Sequence, residues 1–238
     1  MWLLVDEIIK TQNYVLVGED FVHIVKSLRM KPSEALQICD GAKTVHNAVI
    51  TGVFKDNAEV KISSSTPANT EPARQITLFY CLPKGDKLET VIQKTVELGV
   101  KKIVPVISSR CISRPKAADF EKKRPRLQKI AKAAAMQSHR AFVPEVAPLV
   151  KFEQAAEQLS EFDNKILFYE GGGQPVSELL SPPQQTTCII IGSEGGFSED
   201  EVQLLQSKGA VCASLGKRIL RTETAPVAAL SLLTCFEG

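Results

Sequence analysis

The chain has 238 residues, enough for one large domain or two modest ones at roughly 150 residues each. Its 44% hydrophobic and 24% charged residues are an average globular composition, which excludes disordered, collagen-like and disulfide-scaffold classes. The longest apolar stretches, residues 187–191 and 225–236, fall far short of the ~20 residues of a bilayer span, and Asp6 and Glu7 stand where a secretory signal carries its basic head, so a cytoplasmic protein with no membrane partner is expected.

In the N-terminal part, strand patterns at residues 14–17, 35–39, 45–53 and 58–62 are punctuated by Asp40-Gly41 and Asp56-Asn57 turns. Between the first two, Phe21, Ile24, Val25 and Leu28 recur at i, i+3, i+4 and i+7, one apolar face of a helix. Residues 63–74 are small, polar and proline-containing with no apolar period, the pattern of a linker. The predicted organisation is a small β-rich module over residues 1–68 and a larger domain over 75–238.

Beyond the linker, apolar runs of strand length alternate with helical patterns. A strand at 76–82 precedes a helix with Leu88, Val91, Ile92 and Val96 on one face, closed by Gly99, and then a strand at 103–107. A helix through 127–137 precedes strands at 165–169, 187–191 and 211–215, each followed by a glycine. This alternation predicts an α/β domain with a mainly parallel sheet. The final stretch, Val227 to Phe236, is apolar almost all round, which calls for burial on every side, in the core or in a subunit interface.

Cys39, Cys81, Cys111, Cys188, Cys212 and Cys235 form no C-x-x-C pair and lie mostly in apolar runs, the pattern of reduced, buried thiols. His23, His46 and His139 lack metal-ligand spacing, so no metal is expected. The net charge of +2 conceals an asymmetry: residues 101–140 hold 12 Lys/Arg against 2 Asp/Glu, whereas residues 151–210 hold 3 against 10. Such a basic block favours a polyanionic partner over a mixed solvated face.

Three glycine-bearing loops follow three of the strands: Glu170-Gly171-Gly172-Gly173, Gly192-Ser193-Glu194-Gly195-Gly196 and Gly216-Lys217-Arg218. Open α/β sheets bind ligands beyond the carboxyl ends of their strands, where glycines let a ligand approach the backbone, so the three loops together predict one pocket. Neither G-x-G-x-x-G nor G-x-x-x-x-G-K-[ST] occurs, which argues against NAD enzymes and P-loop nucleotidases. Ser198-Glu199-Asp200-Glu201 is a capping box that opens a helix, and no catalysis is assigned to it.

These loops carry a family resemblance. I-I-G-S-E-G-G-F-S from Ile190 to Ser198 and L-G-K-R-I-L-R-T-E-T-A from Leu215 to Ala225 resemble the signature loops of the RsmE family, SPOUT-class methyltransferases that use S-adenosylmethionine to modify N3 of a uridine in 16S ribosomal RNA. Lys94 to Val100 resembles the family's K-x-x-E-L-G-V helix end, Ala133 to Pro144 its A-x-Q-S-x-R-x-x-V-P stretch, and His23 to Arg29 its H-x-x-x-V-L-R helix, followed by Asp40-Gly41. The match covers nearly the whole chain; Ser193 stands where the family often has proline, and Ser27 where it usually has valine. The resemblance implies a PUA-like β-barrel followed by an α/β SPOUT-type domain with a C-terminal trefoil knot, which forms a homodimer and holds the cofactor in the knot.

Uracil N3 carries a proton at neutral pH, so such a site must help to remove it and stabilise the resulting anion, a task for a fixed cation. Arg221 is the candidate cation and Glu223 a weaker candidate proton acceptor; a phosphate clamp, or an ion pair with Glu223, is an equal reading of Arg221. The adenine of the cofactor is expected against Leu215, Gly216, Ile219 and Leu220, and its remainder near Tyr169, Glu170, Ile191, Gly192 and Gly196, with Glu194 holding either its polar end or a loop. Candidate phosphate contacts to 16S rRNA in the 30S subunit are Arg29, Arg110, Arg114, Lys122, Lys123, Arg124, Arg126 and Arg140, with Arg140 and Gln137 alternatively facing the active site. Two other classes stay open. A non-catalytic RNA-binding module of the same fold is opposed by the intact glycine loops, and a small-molecule α/β enzyme with a nucleotide cofactor leaves the basic block and the β module unexplained.

Overall fold

A computed structural model describes residues 1–179 and 186–234. The chain forms two compact units, Met1–Glu71 with Ala135–Val143, and Pro72–Ala134 with Pro144 onward.

The first unit is built on a five-stranded sheet in the order β1 (Trp2–Leu4), β3 (Ala35–Cys39), β4 (Thr44–Val53), β5 (Ala58–Pro67), β2 (Asn13–Leu16). β1 pairs with β3 in parallel and the other neighbours are antiparallel. Along β5, Ala58, Val60 and Ile62 are buried while Glu59 and Lys61 face solvent, the period of two of a half-buried strand. β5 continues to Pro67, so residues 63–67, expected as linker, are strand. Their small side chains pair with polar partners on β4 rather than extending an apolar stripe: Ser63 Oγ donates to Asn47 O, Asn47 Nδ2 donates to Ser64 Oγ, and Ser65 Oγ lies 2.8 Å from His46 Nδ1.

The helix expected after β2 begins as α1 (Gly18–Phe21) and widens into a π-helix over Val22–Ser27. The wider turn keeps Phe21 and Ile24 in the core but rotates Leu28 out to 40% exposure. The Asp40-Gly41 turn is fixed from two sides. The Asp40 carboxylate accepts the N–H groups of Ile9, Ala42 and Thr44 and lies 3.2 Å from His46 Nε2. At Gly41 a Cβ would fall on the Asp6 carbonyl, so the turn admits glycine alone.

The main strands of the second unit run in the order β13 (Val211–Ser214), β10 (Asn164–Phe168), β12 (Thr187–Ile191), β6 (Ile76–Cys81), β7 (Lys102–Ile107), all parallel. The two-residue strands β8 (Glu145–Val146), β9 (Val150–Lys151) and β11 (Gln174–Pro175) extend its edges. β6 and β12 are buried along their whole length, as central strands covered on both faces must be. α2 (Lys87–Glu97) packs Leu88, Val91, Ile92, Thr95 and Val96 inward. α3 (Ala117–Gln137) starts well before the expected Leu127 and contains Pro125. A proline deprives a helix of one backbone hydrogen bond; here Phe120 and Leu127 are buried on either side of it, and the Arg124–Glu121 pair at 2.8 Å spans the turn.

α4 (Phe152–Gln158), α5 (Glu199–Ser207) and α6 (Ala225–Thr234) complete the unit. α5 opens on the expected capping box, in which Ser198 Oγ accepts the Glu201 N–H and Glu201 Oε2 accepts the Ser198 N–H. Within the single chain, Pro226, Ala229, Leu230 and Leu233 of α6 are buried, whereas Val227, Ala228 and Ser231 are half-buried and Leu232 is 38% exposed. Cys235 and Phe236 lie outside the described residues. Cys39, Cys81, Cys111 and Cys188 are buried free thiols, and Cys212 is a half-buried one. Among the described residues, no helix is long and apolar enough to cross a membrane, and no three His, Cys, Asp or Glu side chains cluster to hold a metal ion.

Candidate active site

β13, β10 and β12 are neighbours in the sheet, so the three glycine loops that follow them converge at its carboxyl end. They surround a cavity of about 450 Å³, the size of a small-molecule site. All ten residues expected to hold a cofactor line it: Tyr169, Glu170, Ile191, Gly192, Glu194, Gly196, Leu215, Gly216, Ile219 and Leu220. Arg221 also lines the cavity, as do Lys217 and Arg218. Glu223 is not a wall residue but is joined to one, Lys87.

Lys87 and Thr222 are functional candidates that local sequence patterns do not single out. Thr222 Oγ1 donates to Gly192 O at 2.7 Å and lies 3.1 Å from the Tyr80 hydroxyl. A hydroxyl has one proton, so with that of Thr222 given to Gly192, Tyr80 is the donor in the second bond. Burial pushes the Tyr80 hydroxyl well above its ordinary range, which keeps the donor proton in place. At Gly196 φ is +65°, and a Cβ would fall on the Glu170 carboxylate. Glycine there lets the second loop turn tightly, with the Gly196 N–H on Ser193 O at 2.9 Å, beneath Glu170.

The charged groups of the site are paired. Lys87 Nζ lies 2.9 Å from Glu194 Oε1 and 3.1 Å from Glu223 Oε2, and the Lys84 N–H donates to Glu194 at 3.2 Å. These contacts brace the loop that carries Glu194. Burial pulls its carboxyl upward, but hydrogen bonds from Lys87, from its own N–H and from the Lys84 N–H hold it below the usual carboxylate range. A hydrogen bond from its own N–H lowers Glu223, with burial opposing, and Lys87 and the charge of Arg221 lower it further. Hydrogen bonds to Glu194 and Glu223 in turn raise Lys87. At neutral pH all three side chains are charged. Glu201 has a role beyond its capping box: its Oε1 accepts the Ser109 N–H at 2.6 Å, tying α5 to the loop after β7.

The basic candidates divide. Lys122, Lys123 and Arg126 are exposed on α3, where Arg126 meets Glu89 at 2.9 Å; Arg124 is half-buried. Arg110 donates to Gly195 O at 3.1 Å, and Arg114 donates to Cys111 O at 2.9 Å and to Ser109 O. Arg29 is exposed just past the π-helix in the first unit. Arg140 differs. It is 3% exposed, bonds Glu71 at 2.6 Å and lies 4.7 Å from the centre of the Phe142 ring. A buried guanidinium needs its carboxylate, so this placement corrects the phosphate-contact expectation for Arg140, which is structural in its unit. Gln137 is exposed.

Residues 69–234 match the RNA methyltransferase domain family, and residues 16–63 match the RNA methyltransferase PUA domain. The fold and the site therefore define an RNA methyltransferase domain accompanied by a PUA domain. The chain is 34% identical over 235 residues to ribosomal RNA small subunit methyltransferase E of Bacillus subtilis, covering 96% of this chain and 92% of the relative. It is 32% identical over 237 residues to the protein of the same name in Buchnera aphidicola, covering 98% and 92%. Among solved structures, ribosomal RNA small subunit methyltransferase E of Neisseria gonorrhoeae bound to S-adenosyl methionine aligns with a TM-score of 0.85 at 34% identity, over 97% of this chain and 95% of that one. The chain belongs to the RsmE family of ribosomal RNA small subunit methyltransferases.

Proposed function

We propose that the protein transfers the methyl group of S-adenosylmethionine to N3 of a uridine in the 16S rRNA of the small ribosomal subunit. The observation that carries this reading is the convergence of three glycine loops on one cavity with Arg221 in its wall, in a chain whose relatives are ribosomal RNA methyltransferases. The residues present fit the cofactor. The apolar side chains of Phe168, Ile191, Leu215 and Leu220, with open backbone at Gly216, suit an adenine, and the Glu170 carboxylate suits ribose hydroxyls. When bound, S-adenosylmethionine supplies a methyl group activated on a sulfonium.

The chain's own groups supply the remainder. The fixed charge of Arg221 stabilises the anion that spreads over O2, N3 and O4 of the uracil as the N3 proton leaves. Glu223, ionised beside Lys87, is the acceptor for that proton. Arg29, Arg110, Arg114, Lys122, Lys123, Arg124 and Arg126 contact phosphates. The reading extends to a SPOUT-type domain with a C-terminal trefoil knot and to a homodimer in the cytoplasm. The resemblance of residues 190–198 and 215–225 to the family's signature loops supports the first, and the partly exposed apolar face of α6 supports the dimer.

Incubation with 30S subunits and radiolabelled S-adenosylmethionine, followed by nucleoside mass spectrometry, tests the proposal. The expected product is 3-methyluridine in 16S rRNA. Cofactor retention without transfer would point instead to a non-catalytic RNA-binding module, and absence of retention would overturn the cofactor assignment.

A further inference from the structure

We propose that Lys87 is a positioning residue for methyl transfer: its ammonium, shared between the carboxylates of two cofactor loops, fixes the place and the charge of Glu223. The inference rests on the cavity being the methyl-transfer site. Lys87 stands in the first turn of α2 and lines the cavity, with its side chain 32% exposed. Its two partners come from different strands, Glu194 from the loop after β12 and Glu223 from the loop after β13. One ammonium within about 3 Å of both offsets the repulsion that would otherwise favour protonation of one carboxylate.

The partners are held unequally. Glu194 has a second anchor in the Lys84 N–H, so its loop stays pinned when the ammonium is removed. Glu223 is braced by its own N–H and by Lys87, and Arg221, which is exposed, adds only its charge. Among the described residues, the other ionisable groups facing this set are Tyr80, protonated beneath Thr222, and Glu170, Lys217 and Arg218 around the cavity wall. Loss of Lys87 therefore falls on Glu223. Its carboxyl would titrate at higher pH, and a reaction that needs it ionised would fail earlier on the acidic side.

The experiment measures kcat and KM for methyl transfer to 30S subunits, at saturating S-adenosylmethionine, across the acidic limb of the pH profile. Wild-type protein is compared with Lys87→Met, Lys87→Arg and Glu223→Gln, with thermal unfolding as a folding check. Lys87→Met is expected to move the acidic limb of kcat upward by about one pH unit, with KM for the subunit little changed. Lys87→Arg should restore the limb, and Glu223→Gln should lower kcat at every pH. An unmoved limb in Lys87→Met, or a pH-independent loss that Lys87→Arg does not repair, overturns the inference while leaving the site reading intact. Wild-type protein that transfers no methyl group at any pH overturns the site reading, and the inference with it.

Discussion

Thr222 Oγ1 donates to the carbonyl of Gly192 at 2.7 Å, joining the loop after β13 to the loop after β12 beside the cavity. Replacing Thr222 with Val removes the donor and leaves both the Gly192 carbonyl and the buried Tyr80 hydroxyl short of a partner, a cost of about 1–3 kcal/mol. Thermal unfolding is expected to show that loss, and calorimetry a weaker affinity for S-adenosylmethionine. Thr222→Ser keeps the hydroxyl and should remain near wild type in both measurements.

Arg221 is exposed and lines the cavity, where it can meet a substrate that enters from solvent. If it stabilises the uracil anion, Arg221→Ala lowers kcat by about a hundredfold, near 3 kcal/mol, while cofactor affinity survives. Lysine at this position restores charge without the planar fork and should rescue only in part. A calorimetric loss of cofactor binding with normal turnover at saturation would reassign Arg221 to the cofactor wall.

Lys122 and Arg126 present side chains that are 79% and 74% exposed on α3. Charge reversal at Lys122, Lys123 and Arg126 should flatten the slope of log RNA affinity against log salt, because fewer counterions are released, and leave cofactor affinity unchanged. An unchanged slope would make this face an ordinary solvated surface.

The Asp40 carboxylate makes stability depend on pH. Burial pulls it upward, but the N–H groups of Thr44, Ile9 and Ala42 and the ring of His46 outweigh burial and hold it below its ordinary 3.8. A depressed carboxylate contributes stability that is present above its unfolded value and is lost as pH falls through the lower folded value. Asp40→Asn should therefore cost about 2 kcal/mol at neutral pH. Its denaturant midpoint should also fall less steeply than that of wild type as the solution is acidified below the ordinary carboxylate range.

α6 carries its exposed apolar character in Leu232, with Val227 and Ala228 half-buried. Light scattering is expected to report a dimer, and Leu232→Glu to shift it toward a monomer that retains its circular dichroism. A wild-type monomer at micromolar concentration would end the dimer reading.

Local patterns in the chain, with the family resemblance they carry, were enough to place the parallel α/β domain, the β-rich module and ten residues that line the cavity. Strand periodicity, glycines after strands and the two signature loops are encoded within a few neighbouring residues, and a parallel sheet brings the ends of adjacent strands together. Other features depend on partners far away in sequence. Residues 63–67 are strand because β4 offers matching polar groups, α3 runs through Pro125 because its flanking side chains are buried, and the π-helical turn moves Leu28 off the face that an ordinary helix would give it. Arg140 reads as one more cation of a basic block until Glu71 and Phe142 enclose it. Lys87 reads as one lysine on an amphipathic helix, since Glu194 lies 107 positions away, and only the packed sheet brings that ammonium between two carboxylates.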